Sequence, residues 1–327
     1  MHRKTADSSS GAAHVLSLVV LAIIAVIVAR YTASVRQSLY IQEMISMRDR
    51  ATGIAESGLA LAIDHLVREY GFVLPQDSMW FEFNDSVSSI QPISKSRFLS
   101  SIAADSFNYC LVTDEAGKAN MNFIGYDQIR CIPGVSDRQA AAIADWLDSD
   151  HQPGEGGAES ESYRILGRKH DVKNAFLESM EELLLIDGAA SINLGELSSS
   201  VTVYGDGALN INTCSEGALR ITGFSDSFAR GLVAGRDGPD LLAGTADDLT
   251  FNANNLAVQL SHVMAVNALD RNVIRRLMNA GRVSFRSDCL RFRVQVGAGG
   301  SGPQTSIQTV VTIDDCGDLQ ILYWREI

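Results

Sequence analysis

The sequence predicts an α+β protein built on one very long N-terminal helix. Three observations carry this reading. An apolar run near the N-terminus passes without a break into an amphipathic helical pattern, the middle of the chain has helical periodicity, and the C-terminal part alternates like β-strands.

Residues 12–29 contain no acid, lysine or arginine. As a helix they span about 27 Å, close to the hydrocarbon thickness of a bilayer. Arg3 and Lys4 precede the run, which places the short tail on the cytoplasmic side. A cleaved secretory signal shares the basic start and apolar centre, but here no small-x-small site with a composition break follows. Instead no proline interrupts residues 30–70, and Val35, Leu39, Ile41, Ile45, Ile54, Leu59, Leu61, Leu66 and Val67 recur near helical spacing. The second half of the same helix is therefore an amphipathic rod.

Beyond the rod, Phe107–Thr113 reads as a strand ended by the turn Asp114–Gly117. Residues 117–188 read as helical, with runs at Arg138–Leu147 and Ala175–Leu185 around an acidic, glycine-rich loop, Asp148–Tyr163. Cys289–Val296, Thr305–Ile313 and Leu319–Trp324 read as an antiparallel meander. The middle also repeats itself. Gly117-Lys-Ala-Asn120-Met-Asn122 recurs as Gly207-Ala-Leu-Asn210-Ile-Asn212, and Gly134-Val-Ser136-Asp137-x-x-Ala140 recurs as Gly223-Phe-Ser225-Asp226-x-x-Ala229. Two copies are too few for a solenoid, so they predict duplicated small helical units packed together.

The totals restrict function. Apolar residues make up 46% of the 327 and charged residues 20%, enough for a packed core, and the net charge of −12 repels phosphate backbones. No GxSxG, HExxH or P-loop occurs, and the six histidines form no spaced pair, so the reading is of a protein that is not an enzyme. The five cysteines form no CxxC pair. Cys289 and Cys316 face each other across the terminal hairpin as a disulfide, or all five are small buried hydrophobes. His14 lies at the cytoplasmic end of the apolar run, within reach of headgroups, and Trp146 and Trp324 read as core or interface aromatics.

Two constellations invite a functional reading. Ile132-Pro133-Gly134-Val135, ahead of a helix from Asp137, resembles a helix-hairpin-helix turn. In DNA-binding versions nearby basic residues help hold a phosphate, but here Arg138 faces Asp137, Asp145, Asp148 and Asp150, so a structural role is favoured over a membrane-anchored DNA receptor of a competence or type IV pilus system. The segment Asp145-Trp-Leu-Asp148-Ser-Asp150, followed by Glu155, Glu159 and Glu161, is either a solvated loop or a site for a hard cation such as calcium. The loop Asp237–Asp248 has the same flavour.

A helix apolar in its first half and amphipathic in its second resembles the spine of type IV pilins and pseudopilins, which a prepilin peptidase cuts after a glycine. Gly11 and Ala12 match that position, with Ser10 in place of the usual basic residue. Several motifs in order are more specific: Gly117–Asn122, Ile132-Pro133-Gly134, Asp145-Trp-Leu-Asp-Ser-Asp150, Gly157-Ala-Glu159 with Tyr163, Asn174–Leu184, Val201–Gly205, Asn210–Thr213 and Leu322–Glu326. Together they resemble the K-type minor pseudopilin of type II secretion, general secretion pathway protein K.

The resemblance implies a pilin-like helix packed on an antiparallel sheet, with a large inserted α-helical domain of helix-hairpin-helix or SAM-like kind. It divides the chain into a leader (1–11), the transmembrane and amphipathic helix (12–71), the first part of the pilin-like domain (72–116), the inserted domain with its duplicated unit (117–252) and the C-terminal sheet (253–327). It implies a place at the tip of a periplasmic pseudopilus, anchored beforehand in the inner membrane with the globular region in the periplasm. The implied partners are the I- and J-type minor pseudopilins, the major pseudopilin and prepilin peptidase, with no nucleic acid. It also implies calcium in the inserted domain, for which Asp148, Asp150, Glu159 and Glu161 are the candidate ligands. Leu16 stands where most pilins carry the glutamate that pairs with a neighbour's N-terminus, and a subunit with nothing stacked above it can do without that glutamate.

Overall fold

The computed structural model describes residues 8–71, 74, 78–83, 89–94, 97, 108–240, 247–297, 304–313 and 318–327. Arg3, Lys4, Cys316 and the centre of the Asp237–Asp248 loop lie outside these. The expected helix is one unbroken element, α1 (Ser8–Tyr70), of 63 residues and about 95 Å. Its apolar window is wholly unburied and is long and apolar enough to cross a membrane. Lower down, Ala51, Ala55, Leu59, Ala62 and Leu66 recur every three or four residues and form a buried stripe. Alanines there let the helix lie close to what it covers. At Gly58 the approach is closer still, since an added Cβ would sit 2.5 Å from the Phe83 ring.

What α1 covers is a six-stranded antiparallel sheet in the order β10-β9-β8-β3-β1-β2. Its strands are β1 (Ser78–Phe83), β2 (Ile90–Ile93), β3 (Asn108–Asp114), β8 (Cys289–Gly297), β9 (Gln304–Ile313) and β10 (Leu319–Glu326). Register places Phe81, Cys110, Val294 and Ile307 in one row across four strands. All four are fully buried beneath α1 with Val112, Leu290, Phe292 and Val311. Each large apolar side chain in that layer contributes about 1.5–3 kcal/mol through burial. Alternate residues, among them Leu111, Thr113, Arg291 and Arg293, point to the opposite face.

Between β3 and β8 the chain leaves the sheet and builds a helical region with its own core, centred on Met121, Ile143, Tyr163, Leu183 and Leu219. The duplication is structural. In the first copy β4 (Ala119–Asn120) pairs in parallel with β5 (Val201–Thr202), and in the second β6 (Leu209–Asn210) pairs in parallel with β7 (Val283–Ser284). Asn122 donates from Nδ2 to the Leu177 and Val203 carbonyls and accepts from Leu177 N. Asn212 does the same with Phe251 and Phe285, donating to both carbonyls and accepting from Phe251 N. Each copy also carries a helical hairpin, α2 (Tyr126–Ile129) with α3 (Asp137–Leu147), and α6 (Glu216–Ile221) with α7 (Asp226–Arg236). Ser136 and Ser225 cap the second helix of each, accepting from Gln139 N and Phe228 N. Between the copies lie α4 (Ser160–Ile165) and α5 (Leu194–Leu197).

Two expected boundaries differ. The helical region does not end at 252, because α8 (Leu256–Val263) and α9 (Ala268–Asn279) belong to the second copy and Leu256 and Leu260 enter its core. The parallel pairing of β6 with β7 requires the second copy to run on to Ser284. The run Ala175–Leu185 is not a full helix. Asn174 has φ +48°, Asn122 holds the backbone at Leu177, and only a 3-10 turn forms over Met180–Leu185. Cys110, Cys214 and Cys289 are buried thiols and Cys131 is exposed. Burial pushes the Cys214 thiol up to about 12, which makes it an inert hydrophobe.

Candidate functional site

The acidic loop leaves the C-terminus of α3 and returns into α4. Asp148 caps α3, accepting from Asp150 N at 3.2 Å, and Asp150 accepts from Gln152 N at 2.8 Å. Both side chains are exposed. Asp145, one turn earlier, is buried and accepts from Gly154 N at 3.1 Å, which folds the loop back on α3. A side chain at Gly157 would collide with the Asp145 carboxylate. Glu159, the residue before α4, is only 4% exposed, and neither of its carboxylate oxygens has a hydrogen-bond partner.

Asp148, Asp150 and Glu159 come together, with a carboxylate oxygen of each within 4.8 Å of the others. Burial raises the pKa values of Asp145 and Glu159, and the neighbouring carboxylates add to the rise. The physical content is a buried carboxylate with no donor, beside two more negative groups. Such a carboxylate needs a proton or a cation. An all-oxygen set on one loop suits a hard divalent ion, so the residues present fit calcium. Glu161 is not brought into the group. It stands exposed in the first turn of α4 and pairs with Arg164.

Asn174, read from the sequence only as the start of a motif, stands at this loop. Its Nδ2 donates to the Asp150 carbonyl and reaches His151 Nδ1, while its Oδ1 is buried without a partner beside the same loop. Its left-handed backbone, tolerated best by asparagine after glycine, is the signal of a held position. In the second copy Asp237 is taken by Arg236 at 2.8 Å. The Trp146 ring packs against Tyr163 and His170 behind the first loop, as expected of a core aromatic. At the other end of the molecule Gly11, Ala12, His14 and Leu16 lie on the exposed, continuous part of α1.

A second buried cluster, also unforeseen, joins the sheet to the helical region. Glu115 is fully buried and takes Lys118 Nζ at 2.6 Å, Arg291 Nε at 2.7 Å and the Thr202 hydroxyl. Desolvation pushes its pKa up, but the charges of Lys118 and Arg291 outweigh it and hold the carboxyl at about 2. Asp114 beside it accepts from Thr213, Ser287 and Asn210 at 2.5, 2.7 and 2.9 Å, yet burial still raises its pKa.

One long helix, free above and laid across an antiparallel sheet below, with a helical region set between two of the strands, defines a pilin-like α+β subunit. Residues 126–206 match the family model for protein K of the type II secretion system. The fold resembles a chain of the GspK–GspI–GspJ complex from the type 2 secretion system of enterotoxigenic Escherichia coli, at TM-score 0.55 and 13% identity over 89% of this chain and 98% of that one. No curated protein sequence matches the chain. The matched segment is thus similar to protein K of the type II secretion system, and the fold as a whole is similar to that of the solved chain.

Proposed function

We propose that the chain acts at the tip of a type II secretion pseudopilus, where it helps initiate assembly together with minor pseudopilins of the I and J type. The match over residues 126–206 carries the assignment to this secretion machinery. The solved relative is itself a complex of K, I and J proteins, which supports such partners. Two features of α1 support the tip. Its upper half is clothed in exposed Val, Leu and Ile with no partner among the described residues, as a surface for membrane and then for other helices requires. Leu16, 66% exposed on that half, offers no carboxylate to a subunit above it. The role is assembly and not catalysis, with the globular region in the periplasm before and after incorporation.

The same reading has prepilin peptidase cutting between Gly11 and Ala12. N-terminal sequencing of protein from native membranes is expected to begin at Ala12, and a start beyond Ala29 would overturn the pseudopilin reading. Calcium held by Asp148, Asp150 and Glu159 would tie the loop to α3 and relieve the unpaired Glu159 carboxylate. Chelation is then expected to lower the melting temperature, and Asp148→Ala with Asp150→Ala to abolish that response. An unchanged response in the double variant would refute the site.

A further inference from the structure

The sheet face turned away from α1 meets the helical region in a crease, and the crease holds a cavity of about 140 Å³. Its lining is Thr113 and Leu111 from β3, Arg291 and Arg293 from β8, Gln308 from β9, and Lys118 and Ser198 from the helical region. Register explains the assembly. Leu111, Arg293 and Gln308 form one row across three strands, and Thr113 and Arg291 stand opposite each other in the next. Arg291 and Arg293 are two apart on one strand, so both side chains leave the same face, about 7 Å apart. Lys118 closes the space from above.

The charges are out of balance. Three cations surround the cavity, its lining contains no carboxylate, and the one acid in contact with them is Glu115. Glu115 binds Lys118 and Arg291 through a single oxygen, which leaves two ammonium protons and most of the Arg291 guanidinium for another acceptor. Arg293 has no carboxylate within ion-pair distance among the described residues. Lys118 and Arg291 are only 11% and 14% exposed, so water screens them poorly. Three positive charges against one negative, in a chain of net charge −12, is a local excess that an anion would offset. The Thr113 hydroxyl and the Gln308 amide add neutral donors. Arginine forks match flat or tetrahedral oxyanions in two-point contact, and the volume suits several waters or one such group.

We propose that this crease is an oxyanion site, formed jointly by the sheet and the helical region, that binds a phosphate group or a carboxylate. Because the donors come from both parts, an occupant fixes the helical region against the sheet. The site needs no assumption about secretion.

The test uses the full chain in detergent micelles, titrated at constant ionic strength with inorganic phosphate or with glutarate, and followed by calorimetry and melting temperature. Millimolar concentrations keep general salting effects small. The variant is Arg293→Gln, whose side chain is exposed and outside the Glu115 cluster, so the fold is retained. Saturable binding that falls at least tenfold in the variant is expected. Binding of phosphate marks a free or lipid-borne phosphate as the source, and binding of glutarate alone marks an acidic side chain of another protein. No binding of either probe, or equal binding to both proteins, would overturn the proposal.

Discussion

Replacing Glu115 by Gln removes one negative charge from beneath two largely buried cations. Gln keeps the shape and a hydrogen bond to Thr202, so the loss is electrostatic. In the native chain the carboxyl sits at about 2 against an ordinary 4.5. At about 1.4 kcal/mol per pH unit that difference is worth on the order of 3 kcal/mol. Removing one partner of a buried ion pair costs a comparable amount, about 3–5 kcal/mol. The sign fixes the pH window. A depressed carboxyl stabilises the fold fully above its unfolded value of 4.5, and the contribution drains away as pH falls towards 2. Urea unfolding of the full chain in micelles, native against Glu115→Gln, is expected to differ by about 3 kcal/mol at pH 7, narrowing by about 1 kcal/mol at pH 3.5. Taking the difference between the two proteins cancels the opposite titration of Asp114 and Glu159, whose raised pKa values weaken the fold as they ionise. A loss below 1 kcal/mol at pH 7, or one that ignores pH, would show that the cluster does not hold the two parts together.

Two further substitutions test the packing. Gly58→Ala is expected to destabilise by about 1–3 kcal/mol because the methyl meets the Phe83 ring. Gly53→Ala, on the open side of the same helix, is expected to stabilise by about 0.5–1 kcal/mol, and melting curves of the pair check both signs. Asn122→Ala and Asn212→Ala each strand the same set of backbone groups and are expected to cost similar amounts, about 1–3 kcal/mol. A loss in one copy alone, seen in unfolding midpoints, would mean that the repeat is of sequence and not of structure.

The parts legible in the sequence were those with a period. Cys289–Val296 alternates cleanly because one face lies under α1, and the unbroken pattern to Tyr70 could only be one helix. Strand β1 was missed because Trp80 stands between Met79 and Phe81, so both faces carry large apolar residues and the alternation vanishes. Helix α9 was missed because its exposed face is crowded with Arg271, Arg275 and Arg276, which hides the stripe of Val273, Ile274 and Leu277 against the core. The acidic loop was legible as a composition. Its geometry was not, since Glu159 precedes the helix while Glu161, two residues on, turns to another side of it. The roles of Asn174 and Glu115 could not be read from their neighbours, because the partners that define them, Asp150 and His151 for one and Thr202 and Arg291 for the other, lie far off in the sequence.

The insertion begins and ends at one point. Glu115 N donates to the Cys289 carbonyl at 2.9 Å, and β3 and β8 are adjacent antiparallel strands. To the sheet, residues 115–288 are a single hairpin turn. The ladder between β3 and β8 carries the register itself, so the turn was free to grow, and the second Asn-x-Asn unit reads as one such growth. A module whose entrance and exit touch can be lengthened, shortened or exchanged while the sheet and the helix laid across it stay where they were.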